Sequence, residues 1–391
     1  MMRIPRSTAN PPFDPRLLLA WCGSETESML RSLRKAVEIE SPSNSKTAVT
    51  AMAEFFAREL KKTSGTVQVR RHARAGSVVT AGFWETLGRQ KPVLLLGHTD
   101  TVWDTGTLSK MPFRVRNGRA HGPGVLDMKS GMIIGLFAIR ALRAINIKPA
   151  SPVHLFLNSD EETGSTAFRS LLLREARRAR ACLVLEPAAE GGALKTSRKG
   201  VGIFALTVHG RSAHAGINPG AGINAISEMA RQIVRIESFA RPAAGLTVNV
   251  GVVQGGARSN VVPEAATASI DVRVVRPRDG DWIERKMRSL KPILRGARLE
   301  ITGGMNRPPL ERRRTVALFE RARGLASQLG FELHEASTGG GSDGSFAAAL
   351  GIPTLDGLGG VGDGAHAHHE YVLIRELPRR AALLAALLAT I

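Results

Sequence analysis

Three short apolar runs constrain the fold before anything else in the chain. They are VLLLGHTD (93–100), VHLFLNSDEE (153–162) and CLVLEP (182–187), each with four to six strand-forming residues closed by acid or histidine. Runs of that length, bounded by polar or Gly/Pro signals and separated by helical patterns such as GMIIGLFAIRALRAI (131–145), read as strands buried on both faces. Strands alternating with helices predict an α/β domain with a mostly parallel sheet. In such sheets functional groups gather at the carboxyl ends of the strands, where all three runs carry their charged residues.

From about residue 200 the texture changes. GIFALTVHG (202–210), LTVNVGVVQGG (246–256) and TASIDVRVV (267–275) alternate like half-exposed antiparallel strands. GINAISEMARQIVRIESFA (222–240) and DWIERKMRSLKPIL (281–294) read as amphipathic helices. The resulting β-α-β-β-α-β order predicts a small ferredoxin-like α+β sandwich. The α/β texture returns near 308, with a helix in TVALFERARGLASQLG (315–330) and a strand in GIPTLDGLG (351–359). The expectation is therefore a large domain over 1–198 and 308–391, with 1–14 as a loose arm and an inserted domain over 199–307. A length of 391 residues suits two cores better than one.

Composition narrows the function classes. At 43% hydrophobic and 23% charged residues, the chain has the balance of a globular protein. Its longest apolar stretches, GMIIGLFAI (131–139) and AALLAALLATI (381–391), are too short to span a bilayer. The proline-bearing N-terminus does not read as a secretory leader, so the expected location is cytoplasmic. Cys22 and Cys182 make no disulfide framework and imply no thiol chemistry. The net charge of +20 is spread over the whole length, with one tyrosine and no nucleic-acid motif. That pattern argues against nucleic acid and for steering of an anionic small substrate.

The strand ends deliver a chemical constellation. His98 and Asp100 close the first run as H-x-D. Asp127 sits in GPGVLDMKSG, Glu161 and Glu162 close the second run, and Glu186 closes the third. GDGAHAHHEYV (362–372) adds His366, His368 and His369, and the residues alone leave open which of the three contributes. Taken singly, HTD reads as a loop and SDEETGS as an acidic helix start. Gathered at one sheet edge, the carboxylates would repel unless a cation neutralised them. Imidazoles and carboxylates are ordinary ligands of zinc, manganese or cobalt. A two-metal site needs about five such ligands, one of them bridging, which leaves spare acids to orient a histidine and to serve as general base.

HTDTV, GPGVLDMKSG, DEETGS, LEPA, GRSAHAGINPGAGINA and TGGGSDGSF, in this order around an inserted domain, resemble the M20 metallopeptidases, and most of all their glutamate carboxypeptidase (carboxypeptidase G) branch. The resemblance runs from about residue 25 to 391. It implies two Zn2+ ions, with Co2+ or Mn2+ as alternatives. Asp127 would bridge them, His98 and Glu186 would hold one, and Glu162 and a C-terminal histidine the other. Relatives carry that histidine five residues before the aromatic of an E-Y-V or E-W-V segment, which gives His366 and leaves His368 and His369 to a solvated turn. Glu161 would be the general base, and Asp100 would accept the second ring N–H of His98. His214, in GRSAHAG, would stabilise the oxyanion across a homodimer interface built by the inserted domain, with Asn260 as an amide partner nearby. Arg307 would grip the free carboxylate of a small anionic peptide or N-acyl amino acid. Gly340, within Gly339–Gly341, would let the backbone approach the substrate. Ser130 departs from the family pattern, which often has glycine there. The implied reaction is release of a C-terminal amino acid, with glutamate first among the candidates. An N-acyl amino acid deacylase of aminoacylase or acetylornithine deacetylase type is the alternative within the same chemistry. A non-catalytic basic binding protein is the alternative outside it.

Overall fold

A computed structural model of the chain describes residues 13–87 and 90–391. It divides into two compact units. The first comprises residues up to Ser197, Glu311–Thr338 and Ser342–Ile391; the second comprises Arg198–Leu310 and Gly339–Gly341. Most of the expected N-terminal arm lies outside the described residues. Phe13 and Asp14 belong to the folded unit: Phe13 packs on its core, and Asp14 caps the Pro15–Ser24 helix by accepting the Arg16 N–H at 2.9 Å.

The first unit is built on a six-stranded sheet. Its spatial order is Thr66–Arg70, Val78–Phe83, Val153–Asn158, Val93–His98, Ala181–Val184 and Thr354–Leu355. The first two joins are antiparallel and the other three parallel. The three apolar runs are thus the adjacent central strands, in the register His98↔Asn158 and Leu96↔Val184. Every residue of Val93–His98 is buried, as its unbroken VLLLGH pattern requires. Behind the sheet the Ser130–Ala144 helix buries nearly its full circumference and packs against the equally apolar Glu376–Thr390 helix. Phe137, 1% exposed, contributes about 1.5–3 kcal/mol by burial there. A second, small sheet orders Gly362–Asp363, Tyr371–Leu373, Arg119–His121 and Arg114–Arg116, with Tyr371 opposite His121. That pairing sets the histidine-rich loop beside the GPGVLDMKSG loop.

The second unit has the predicted ferredoxin-like order. Thr247–Gly255, Ala265–Val274, Gly200–His209 and Arg298–Arg307 form an antiparallel sheet, with the unit's own first and third strands in the centre. The Ala225–Glu237 and Pro277–Arg288 helices cover one face over a core that includes Phe204, Leu206, Met229, Ile270 and Ile283. Thr247–Gly255 is an edge strand and leaves Val252 and Val253 about half exposed. The glycine triplet Gly339–Gly341 groups with this unit rather than with the helix that follows it. The Arg198 guanidinium donates to the carbonyls of Gly340 at 3.3 Å and Gly341 at 2.9 Å. Among the described residues no helix is long and apolar enough to cross a membrane.

Candidate metal centre

Strand ends and two loops bring six side chains of the first unit together. His98 ends its strand with 1% exposure, Glu186 follows Ala181–Val184, and Glu161 and Glu162 open a single helical turn after Val153–Asn158. Asp127 comes from the glycine-rich loop, where Gly122 and Gly124 take φ of +150° and +69°. A Cβ at Gly124 would come within 2.6 Å of the Thr101 methyl, so the backbone turns there as only glycine allows. His366 also has a positive φ, +63°, which is uncommon for a non-glycine residue and recurs at functional positions.

The distances sort these groups into two sets sharing Asp127. His98 Nε2 lies 3.3 Å from Asp127 Oδ1 and 3.5 Å from Glu186 Oε1. His366 Nε2 lies 3.5 Å from Asp127 Oδ2 and 3.3 Å from Glu162 Oε1. Ligand atoms about 2.0–2.1 Å from a tetrahedral zinc stand about 3.4 Å apart, so these spacings suit neighbours around an ion. The donor set passes a second test. Asp127 Oδ1 and Glu162 Oε1 are buried oxygens without a hydrogen-bond partner, a costly arrangement that a cation relieves. His98, Glu161 and Glu186 offer ligand atoms within 4.8 Å of one another, as do His98, Asp127 and Glu162. The residues therefore fit a metal ion.

The local field agrees. The carboxylates of Asp127 and Glu162 raise His366 to about 10. Burial pushes His98 down, but Asp100, Asp127 and Glu186 outweigh it and hold the imidazole well above its usual range. Burial pushes Asp127 up, but the imidazoles of His366 and His98 outweigh it and hold the carboxyl well below the carboxylate range. Glu162, pressed mainly by burial, is raised. Acids packed this closely draw the imidazoles toward their protonated form, and a cation in the same place would neutralise the same carboxylates.

Asp100 is 1% exposed, and its part is divided. The Nδ1 of His98 meets the backbone carbonyl of Asp100 at 3.0 Å, while the nearer carboxylate oxygen stands at 3.4 Å. The carboxylate accepts the backbone N–H of Glu161 at 3.1 Å, the N–H of Glu162 at 3.2 Å and the Ser43 hydroxyl at 2.8 Å. It thus fixes the turn carrying both glutamates as well as standing beside the imidazole. His368 stacks against Trp103, ring centroids 5.4 Å apart, and His369 is exposed beside Gly364.

The remaining candidates sit in the second unit. His214 is exposed, and its Nδ1 accepts the N–H groups of Gly216 at 3.1 Å and Ile217 at 3.2 Å. In the neutral ring those two bonds leave the proton on Nε2, which is then a donor facing outward. Asn260 holds the same loop through its backbone carbonyl, which accepts the Ala215 N–H at 3.0 Å. Arg307 is buried at 8% exposure, donates to Asn306 Oδ1 at 3.3 Å, and packs its stem at Gly341. Gly340 is exposed and is held by Arg198.

Residues 94–390 match the sequence profile of Peptidase family M20/M25/M40. The chain belongs to this family. It is 32% identical to carboxypeptidase G2 of Pseudomonas sp. (strain RS-16), over 93% of this chain and 89% of that one. It is 28% identical to the succinyl-diaminopimelate desuccinylase of Dechloromonas aromatica (strain RCB), over 77% and 84% of the two chains. The acetylornithine deacetylase of Myxococcus xanthus is also 28% identical, over 75% and 79%. Among solved structures, an M20 family metallo-carboxypeptidase from Sulfolobus solfataricus has the same fold, with a TM-score of 0.74 and 17% identity, covering 92% of this chain and 98% of that one. The chain is thus an M20 metallopeptidase or amidohydrolase.

Within this M20 site, sequence reasoning passed over Ser43, Trp103, Lys129 and Glu370. Lys129 is 1% exposed and donates to the Ile39 carbonyl at 3.0 Å; burial lowers its ammonium to about 7. Glu370 is fully buried beneath the loop of Asp127. The available signal was an acid directly before a strand, in a loop already marked by histidines.

Proposed function

We propose that the protein is a di-zinc hydrolase of the carboxypeptidase G type, cleaving an amide bond to release a C-terminal amino acid, glutamate first among the candidates. The observation that carries the reading is Asp127, whose two oxygens face two different imidazoles, each with its own second carboxylate. In this assignment His98 and Glu186 would hold one ion, Glu162 and His366 would hold the other, and Asp127 would offer one oxygen to each. Bound zinc polarises the scissile carbonyl and acidifies water. Glu161, fixed through its backbone by Asp100, takes a proton from the attacking water as the water oxygen bonds to the carbonyl carbon. It delivers that proton to the leaving nitrogen as the C–N bond breaks.

His214, with its outward donor, stabilises the oxyanion from a second copy of the chain, and Asn260 supports it. Arg307 binds the free carboxylate of the substrate in bidentate fashion, with Gly340 giving the backbone room to approach. A homodimer through the edge strand Thr247–Gly255 is supported by that strand's exposed valines, an edge of the kind that pairs with another chain.

The desuccinylase and deacetylase relatives favour a second reading, an N-acyl amino acid deacylase built on the same centre. The deciding experiment is amino-acid release by zinc-loaded protein from folyl-, N-acyl- and dipeptidyl-glutamates, with Glu161→Ala as control. Glutamate release lost in the variant supports the carboxypeptidase reading. Turnover confined to succinylated or acetylated amino acids would transfer it to the deacylases. Retention of activity after exhaustive chelation would refute both.

A further inference from the structure

Glu370 lies four residues beyond His366 and does not belong to the ligand set. Its side chain is 0% exposed, yet its carboxylate has no lysine or arginine within ion-pair distance among the described residues. Instead it is saturated with N–H donors. Oε1 accepts the backbone N–H of Leu126 at 2.8 Å and of Asp127 at 3.0 Å. Oε2 accepts the backbone N–H of Gly124 at 2.9 Å and the Trp103 indole N–H at 3.0 Å. A carboxylate offers about four acceptor sites, and here all four are used. Three of the donors are main-chain groups of the loop that delivers Asp127.

The other end of the same residue is equally fixed. The Glu370 N–H donates to the Ala367 carbonyl at 2.9 Å and the Ala367 N–H to the Gly364 carbonyl at 2.8 Å, folding the segment around His366 into tight turns. Gly364, with φ of +80°, has no room for a Cβ, which would stand 2.9 Å from the Glu370 nitrogen. One residue therefore ties the segment carrying His366 to the loop carrying Asp127. Asp100 does the same elsewhere, accepting the consecutive N–H groups of Glu161 and Glu162.

We propose that Glu370 is a positioning residue for the metal centre: its buried carboxylate clamps the Gly124–Asp127 backbone and so sets the direction of the two Asp127 oxygens relative to His366. The inference rests on the metal reading above. It requires a carboxylate specifically. Glutamine keeps the shape, but its amide can satisfy the two donors on one oxygen only by pointing its own N–H groups at the other two. Partners that orient metal ligands typically change affinity by about 10–100-fold when removed.

The test measures zinc stoichiometry and affinity of the full chain by competition with a chelator, for the parent, Glu370→Gln and Glu370→Asp. Near-UV circular dichroism and melting of the metal-free proteins run in parallel. The expected result is metal-free variants that melt like the parent and bind zinc at least 10-fold more weakly, with glutamine the weaker because aspartate retains both acceptor oxygens. Parent-like zinc affinity in either folded variant would overturn the assignment, and so would loss of fold in both, which marks a merely structural role. A parent chain that takes up no zinc would sink the functional reading and this one with it. Zinc bound equally by parent and variants would sink this one alone.

Discussion

Gly131 and Gly135 lie one turn apart on the Ser130–Ala144 helix, and both face Leu185, yet alanine should have different effects at the two positions. A Cβ at Gly131 would stand 1.9 Å from the Leu185 carbonyl oxygen, whereas ordinary contact begins at 3.4 Å. Backbone must therefore move by roughly 1.5 Å (3.4 − 1.9), at the helix start that follows Asp127 or at the strand end that precedes Glu186. A Cβ at Gly135 would meet the Leu185 side chain, nearest at Cδ1, 2.9 Å away, a methyl that can rotate aside. Overpacking costs about 1–3 kcal/mol, at the upper end, about 2–3, against backbone this close, and replacing a helical glycine returns about 1. Gly131→Ala should thus destabilise by about 1–2 kcal/mol, while Gly135→Ala stays within about 0.5 of the parent. Ligand distances tolerate about 0.2 Å, so Gly131→Ala should also weaken zinc binding. Urea unfolding followed by tryptophan fluorescence reports on the right unit, because Trp21, Trp84 and Trp103 lie in it and only Trp282 in the other. A Gly131→Ala protein as stable as the parent with undiminished zinc affinity, or a Gly135→Ala protein worse than it, would refute the packing argument.

Other tests address the chemistry directly. Glu161→Gln should lower kcat by about 10²–10⁴-fold while keeping its metal, checked by metal analysis beside the rate; an unchanged kcat removes Glu161 from the mechanism. Without metal His366, raised to about 10, holds its proton at pH 7.5 and loses it only as pH rises through the folded value, and His98 is shifted in the same direction. A zinc ion bound by these two imidazoles would displace their protons. Calorimetry in buffers of different ionisation enthalpy should detect their release, and apparent affinity should fall with pH; zinc uptake with no proton release contradicts the ligand set. If His214 acts across a homodimer, mixing inactive His214→Ala and Glu161→Gln subunits should recover about a quarter of parental activity, since half the dimers are mixed and each has one intact site. No recovery after verified subunit exchange would confine His214 to its own subunit.

The sequence was most readable where hydrophobic pattern and chemistry coincide. VLLLGHTD announces a buried strand that ends in His98, so one run conveyed both the element and a candidate ligand; VHLFLNSDEE and CLVLEP did the same for the glutamates. The inserted unit was legible from its alternation, visible in the in–out burial of Gly200–His209. What stayed hidden lies in backbone hydrogen bonds, which leave no periodic trace. That the Asp100 carbonyl meets His98 more closely than the carboxylate does, and that the carboxylate captures the Glu161 and Glu162 N–H groups, follows from the shape of a turn. The grouping of Gly339–Gly341 with the second unit depends on the reach of Arg198, 142 and 143 positions earlier in the chain.

The order of the two units along the chain affects how the protein is made. The inserted stretch Arg198–Leu310 is nearly all of its unit and carries that unit's core, so it leaves the ribosome almost whole. The first unit does not. Its Ala181–Val184 strand lacks its Thr354–Leu355 neighbour, and its Ser130–Ala144 helix lacks the covering Glu376–Thr390 helix, until synthesis has passed both. His366 and Glu370 are also translated after the insert. For the time needed to add those residues, at about 5–20 per second, the nascent chain carries an apolar helix face with nothing yet to cover it. Mutations that weaken the final helix should therefore reduce the yield of folded protein before they reduce its activity.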